Sequence, residues 1–395
     1  MGDRNINEIV LWRKHLLSPV ESSDWASEMV LNPAIIEDPE TKRIHMIFRA
    51  TGPYPQARIE GEPMPYPIFL GYGYSDDGEN FTFDLEKPVL APALNYEKEN
   101  IYLTNHKGEK MIDFTNGCIE DPRLFFIDGV CYMTTACRMF APGAYWKTDG
   151  TGGACVPNWA YNKDENPFGT HYNPTVSVLY KVDLKELAAK NYEKAFSYIT
   201  HLNDPAYGED RDVVFFSKRM MVDGKLCYVM LQRPSTPNAY PEFTETKPSM
   251  VISAAESFED FAANNNVKRR LIFSPTASWQ DERVGASVPP IEIGEGRWLL
   301  NYHGKKDDIE GYGQSFMTFK EVENDMPIIE KISLEKMIGC EADFEQPARF
   351  EIPCVFFTGM IFHKGDLLVS YGAADERVGL LKIDYKKLMK KMDEL

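Results

Sequence analysis

The stretch CIEDPRLFFIDG (118–129) sets two adjacent acids, Glu120 and Asp121, before a proline and an arginine, then runs into an apolar strand and an Asp-Gly turn. An acid in that position is ordinarily a turn residue satisfied by backbone amides. Its chemical reading is a general acid that protonates a glycosidic oxygen. Ordinary glycoside hydrolysis needs two carboxylates. When phosphate is the nucleophile the second carboxylate is dispensable, and cations take its place.

Polar residues recur at the ends of apolar strands: Asn32 and Arg49, Asp121 and Arg138, Arg211 and Arg233, Arg283 and His303, then Asp375. Most are cationic, although the chain carries 60 acidic against 43 basic residues. Each arginine alone is readily explained by a local carboxylate. Together they suit a phosphate or other oxyanion, whose oxygens the guanidinium fork binds bidentately. One acid among many arginines is the pattern expected for phosphorolysis.

Other chemistries lack their parts. There is no GxGxxG after a strand, no GxxxxGK[ST], no HExxH and no GxSxG. Seven histidines are scattered without metal-ligand spacing, so no metal is expected. Of these only His303, in LLNYHGK, ends a predicted inner strand beside glycine.

These residues sit on a recurring unit of apolar strand, turn and second apolar strand. Five copies occur, at 31–50, 120–138, 211–234, 288–304 and 353–373. Several are followed by further strand pairs, as at 69–83, 249–261 and 314–322. Four strands per unit predict an all-β fold, a five-bladed β-propeller in one catalytic domain over 1–395. A β-sandwich or two-domain β protein is the alternative. Helical periodicity predicts helices over 6–17, within an N-terminal extension (1–25), over 183–198, and at the C-terminus (383–395). Three stretches break the repeat: 53–67, 94–116 and 139–174. The third carries Tyr145, Trp146, Trp159, Tyr161 and Tyr172, suited to an aromatic wall over a pocket or to an oligomer contact.

A net charge of −17 argues against a nucleic-acid surface. Seven cysteines without a CxxC pair predict a reduced protein. A charged N-terminal stretch with no apolar leader core, and no run of membrane-spanning length, predict a cytoplasmic chain with no membrane partner.

From about Leu31 to Leu381 the chain resembles glycoside hydrolase family 130, the mannoside phosphorylases and β-mannosidases. The resemblance runs through LNPAII, FRATG, SDDGENF, EDPRLFFIDG, RDVVFF, LQRP, RVGASVPPI, WLLNYHG and YGAADERVGL, in family order. It implies a five-bladed propeller and an inverting reaction in which Asp121 is the proton donor, working through the 3-hydroxyl of a bound mannose. It implies that Asn32, Arg49 and Asp375 hold that mannose, and that Arg211, Arg233, Arg283 and His303 bind phosphate. Inorganic phosphate is then a co-substrate, no cofactor is needed, the product is α-mannose 1-phosphate, and the assembly is a homo-oligomer. The family's phosphorylases usually carry Lys at Arg283 and often His at Gln232. Lys to Arg keeps the charge. The alternatives are a β-mannosidase using water and a second carboxylate such as Glu282, or a non-catalytic carbohydrate-binding propeller.

Overall fold

The computed structural model describes residues 6–53, 58–59, 62–63, 67–141, 156–162, 164–165, 173–294, 296–347 and 349–395. The fold is mostly β, organised as five antiparallel meanders, three of four strands and two of five. The first is Met29–Glu37, Ile44–Thr51, Ile68–Ser75 and Thr82–Asp84; the second is Cys118–Ile127, Val130–Arg138, Val176–Val182 and Phe196–His201. A single parallel pair, Cys118 with Ile68, merges these two into one eight-stranded sheet. In the third, Asp210–Phe215 and Met220–Val222 both pair with Lys225–Pro234, followed by Met250–Ala255 and Lys268–Phe273. In the fourth, Arg283–Ala286 and Ile291–Gly294 both pair with Arg297–Lys305, followed by Tyr312–Val322 and Asp325–Ile332. Its first strand therefore begins five residues before the predicted copy at 288.

The fifth meander is Val355–His363, Asp366–Ala373 and Arg377–Ile383, completed by Val10–Leu17 from the other end of the chain. This corrects the helix predicted over 6–17 and with it the helical N-terminal extension: a 3-10 turn covers Ile6–Ile9 and a strand follows. The edge of Arg377–Ile383 offers unpaired backbone groups, and pairing with them outweighs local periodicity. Arg13, opposite Leu381, donates from Nη1 to both oxygens of the fully buried Glu345 at 2.8 and 2.9 Å. The predicted helix over 183–198 is two short helices, Leu184–Ala188 and Tyr192–Ala195, and then strand. Residues 249–261 form one strand and the helix Phe258–Ala263 rather than two strands, because Ser257 and Asp260 make a reciprocal cap. The C-terminal helix, Tyr385–Asp393, forms as expected, with Asp384 capping it.

Strand periodicity decides the packing. Successive side chains point to opposite faces, so Leu124 packs toward the first meander while Phe125 packs toward the third. Phe215 meets the second meander and Val214 the fourth. Val288 and Leu299 of the fourth join Phe357 and Tyr371 of the fifth, and Leu368 and Leu380 of the fifth join Ile35 and Phe48 of the first. Five apolar layers thus close a ring. At one end of its first strands, Ile36, Phe125, Phe215, Ile291 and Met360 line a shared cavity of about 300 Å³, so these strands converge.

The segment 94–116 contains a small hairpin of Tyr102–Thr104 with Lys110–Ile112. Trp159 donates from Nε1 to the Tyr96 carbonyl at 2.8 Å and packs edge-on against Phe140, so this aromatic is braced rather than open. Tyr161 is exposed. Tyr145, Trp146 and Tyr172 lie outside the described residues, as does most of 53–67. Among the described residues no helix is long and apolar enough to cross a membrane. Six cysteines, Cys118, Cys131, Cys137, Cys227, Cys340 and Cys354, are free thiols.

Candidate active site

The site is built on a defect shared by the first strands of the first three meanders. Pairing breaks between Leu31 and Ala34, between Glu120 and Arg123, and between Arg211 and Val214. In each case two residues oppose one across the ladder, the arrangement of a β-bulge that re-aims a side chain. The first bulge residue is Asn32, Asp121 or Asp212, each left-handed with φ of 45°, 49° and 56°. Asn and Asp tolerate that conformation because their short polar side chains bond locally. Pro33 and Pro122 follow where no ladder donor is needed. Asn32, Asp121 and Asp212 are therefore equivalent positions of three repeats, and all three are buried or nearly so.

One half of the site surrounds Asp121. Asn32 Nδ2 donates to Asp121 Oδ1 at 2.8 Å and Arg49 Nη1 donates to the same oxygen at 3.0 Å. Arg49 also meets Glu120 Oε2 at 3.3 Å, and Arg211 meets that oxygen at 3.6 Å. Burial pushes the Asp121 carboxyl up, but Arg49, Arg123, Asn32 and Arg211 outweigh it and hold it below the ordinary range. Asp375, left-handed at φ 55°, lies close enough to feel Arg49, Asp121 and Glu120. There burial dominates and, with the two acids, holds its carboxyl above the ordinary range. The two carboxyls have opposite tendencies, set by environment.

The other half surrounds Asp212. Its Oδ2 accepts from Arg233 Nε at 2.5 Å and faces His303 Nε2 at 3.3 Å, while Arg123 Nη2 lies 3.5 Å from Oδ1. Burial raises this carboxyl, but Arg233, His303 and Arg123 together hold it well below its usual value. Arg283 is less basic than usual through burial, Arg233 and Arg211, with Tyr312 and Asp212 opposing. Arg283 pairs with Glu282, whose second oxygen pairs with Lys305 at 3.0 Å.

Arg123 joins the halves. It is fully buried, donates from Nη1 to the Asp121 carbonyl at 2.6 Å and from Nε to the Ser287 carbonyl at 2.7 Å, and stands over Phe356. A polar cavity of about 10 Å³, room for one water, lies between Asp121, Arg123 and Asp212.

All eight predicted site residues come together. Arg138 stands at the rim, 3.5 Å from Glu209, whose Oε1 accepts from Thr175; Arg211 Nη2 donates to the Thr175 hydroxyl at 2.8 Å. Sequence reasoning missed Asp212 and treated Glu120 as peripheral. The signal was present: aligned on the bulge, Asn-Pro, Asp-Pro and Asp-Val occupy one position. Gly285 was also missed, because its role is an empty space. A Cβ there would stand 2.7 Å from Asp212 Oδ2 and 2.9 Å from both Arg233 Cδ and His303 Cε1. Among the described residues no three His, Cys, Asp or Glu side chains cluster to hold a metal.

A family model, glycoside hydrolase family 130, described as beta-1,4-mannooligosaccharide phosphorylase, matches residues 170–394. The chain belongs to this family. Among curated relatives, a 1,2-beta-oligomannan phosphorylase of Thermoanaerobacter sp. is 25% identical over 376 residues, covering 95% of this chain and 96% of the relative. A beta-1,2-mannobiose phosphorylase of the same organism is 23% identical, covering 96% and 97%. A beta-1,4-mannooligosaccharide phosphorylase of Ruminococcus albus is 27% identical over 222 residues, 54% of this chain and 56% of its own. Among solved structures, the beta-1,2-mannobiose phosphorylase of Listeria innocua, in complex with beta-1,2-mannobiose, shares the fold with a TM-score of 0.59 at 16% identity. It covers 100% of this chain and 99% of the other.

Proposed function

We propose that the chain is an inverting β-mannoside phosphorylase, a single domain whose closed ring of five meanders is a five-bladed β-propeller. The observation that carries this is the convergence of Arg211, Arg233 and Arg283 within reach of one another's charge, next to Asp121. Each has a carboxylate beside it, Glu120, Asp212 or Glu282, and the charge the three share still favours an anion between them. Phosphate, held there with His303, attacks the anomeric carbon of a mannosyl unit held by Asn32, Arg49 and Asp375. The bond to the leaving sugar breaks as a proton reaches the bridging oxygen from Asp121.

The ionised state that Arg49 and Arg123 impose on Asp121 sets an order. Arg211 is both a proposed phosphate ligand and one of the cations depressing this carboxyl, so phosphate arriving at Arg211 offsets that field. Asp121 gains its proton most readily with phosphate bound. Hydrolysis would require a second carboxylate. Glu282 is engaged through both oxygens by Arg283 and Lys305, which supports phosphate over water as nucleophile. The substrates are then a β-mannoside and phosphate, and the linkage follows the β-1,2 or β-1,4 names of the relatives.

The test is incubation with β-1,2-mannobiose, β-1,4-mannobiose and mannosyl-glucose, with and without phosphate. Mannose 1-phosphate formed only with phosphate is the expected outcome. Free mannose released at an unchanged rate without phosphate would overturn the reading in favour of a β-mannosidase. No turnover of any β-mannoside, in either direction, would leave a carbohydrate-binding chain.

A further inference from the structure

The imidazole of His303 lies at the end of a hydrogen-bond chain that fixes which nitrogen carries hydrogen. Gln314 donates from Nε2 to the Val355 carbonyl at 2.8 Å, which turns its Oε1 toward Ser287. A carbonyl oxygen cannot donate, so the Ser287 hydroxyl gives its hydrogen to Gln314 Oε1 at 2.8 Å. That hydroxyl then has only lone pairs to offer His303 Nδ1, 3.1 Å away. Nδ1 therefore carries the hydrogen, and a neutral ring presents a bare Nε2 lone pair to Asp212 Oδ2 at 3.3 Å. Nε2 is buried without a hydrogen-bond donor to it, beside a carboxylate that can only accept.

We propose that Asp212 is a positioning residue that makes the anion site proton-linked: it fixes Arg233 and faces His303 Nε2, so that His303 takes up one solvent proton as the anion arrives. This rests on the phosphorylase reading. The groups facing His303 are Asp212 from the third meander's first strand, Arg233 from its second and Arg123 from the second meander, with the Tyr312 and Phe356 rings at 5.9 and 4.7 Å. Two guanidinium charges and burial oppose a third cation, and Asp212 alone favours it. Burial, with Arg233 and Arg123, leaves the ring less basic than a free histidine despite Asp212. A phosphate among Arg211, Arg233 and Arg283 reverses that balance. The Nε2 lone pair accepts a proton from solvent, and the resulting imidazolium charge lies beside the Asp212 carboxylate, 3.3 Å away. Linkage then requires that anion and proton favour each other's binding. Gly285 makes the arrangement possible, since Asp212, Arg233 and His303 cross over its absent side chain.

The experiment is isothermal titration calorimetry with inorganic phosphate, in two buffers of different ionisation enthalpy, at an alkaline pH where free phosphate is already the dianion. The unmodified protein is expected to take up close to one proton per phosphate, and its phosphate affinity to fall about tenfold per pH unit above the range of His303. His303→Gln is expected to bind phosphate more weakly and with no proton uptake; Asp212→Asn, with reduced uptake. Phosphate binding without proton uptake in the unmodified protein overturns the inference, as does uptake unchanged in His303→Gln, which would put the proton on phosphate or on Asp121. The His303→Gln comparison decides even if Asp212→Asn fails to fold. No phosphate binding by the unmodified protein overturns the phosphorylase reading itself, and this inference with it.

Discussion

Asn32 Nδ2 donates to Asp121 Oδ1 across 2.8 Å, and both residues are left-handed bulge residues of neighbouring repeats. The hydrogen bond joins two equivalent points of the ring. Backbone strain of ~1–3 kcal/mol per such residue persists only where the surroundings determine it, and here each bulge helps hold the other. The result is a carboxylate oxygen shared between an amide and Arg49, with its geometry set by two sheets rather than one loop.

Asp121→Asn tests the proposed proton donor directly. The amide keeps the shape and can still bond its neighbours, but it has no acidic proton. Mannose 1-phosphate formation is expected to fall by about 10²–10⁴-fold, the range for loss of a general acid. Circular dichroism should be unchanged. Activity near that of the unmodified protein would remove Asp121 from its role.

Gly285→Ala inserts a methyl group where Asp212, Arg233 and His303 meet, at distances of 2.7 to 2.9 Å that atoms do not tolerate. Something must move, and overpacking of this kind typically costs about 1–3 kcal/mol. The KM for phosphate is expected to rise by about tenfold or more, the equivalent of ~1.4 kcal/mol, while the KM for mannoside changes less. Initial rates measured against phosphate and against mannoside separate the two. An unchanged phosphate KM would show that these side chains repack without consequence.

Arg123→Met removes the buried cation that spans three repeats. The Asp121 and Ser287 carbonyls each lose a donor, and Asp212 loses one of its cations. Removing one partner from a buried ionic network costs about 3–5 kcal/mol. Urea denaturation should report a loss of that order, and Arg123→Lys should recover little because a single ammonium cannot reach all three positions. A loss under ~1 kcal/mol, the scale of a surface pair, would contradict the bracing role.

The parts of this arrangement legible in the sequence were those carried by local pattern. Alternating strands and Asp-Gly turns pointed to the repeated strand units, and the polar strand ends singled out Asn32, Arg49, Asp121, Arg211, Arg233, Arg283, His303 and Asp375 as candidates. The strand Val10–Leu17 was not legible, because its partner Arg377–Ile383 lies at the far end of the chain and local periodicity contains no trace of it. Asp212 was hidden for a different reason. It follows Arg211, a cation that fits the strand-end pattern by itself, and only the shared left-handed bulge makes Asp212 the counterpart of Asp121. Gly285 acts by what it lacks.

Asp210 supplies a prediction about pH. It is buried, its Oδ1 accepts from the Arg211 amide at 2.9 Å and its Oδ2 has no partner. Burial pushes its carboxyl up to about 7, against the pull of the Arg211 amide and Arg233. An unfolded aspartate titrates near ~3.9, so between about pH 4 and pH 7 the folded chain binds a proton that the unfolded chain does not. Stability from this group is therefore fully present below the unfolded value and is lost as pH rises through 7, where the folded carboxyl must ionise while buried. Asp210→Asn keeps the neutral, hydrogen-bonded shape and cannot ionise. Urea denaturation of both proteins at pH values spanning this window should find the variant gaining on its parent as pH rises from ~5 to ~8. A stability difference independent of pH would mean that Asp210 titrates in the folded chain as it does in the unfolded one.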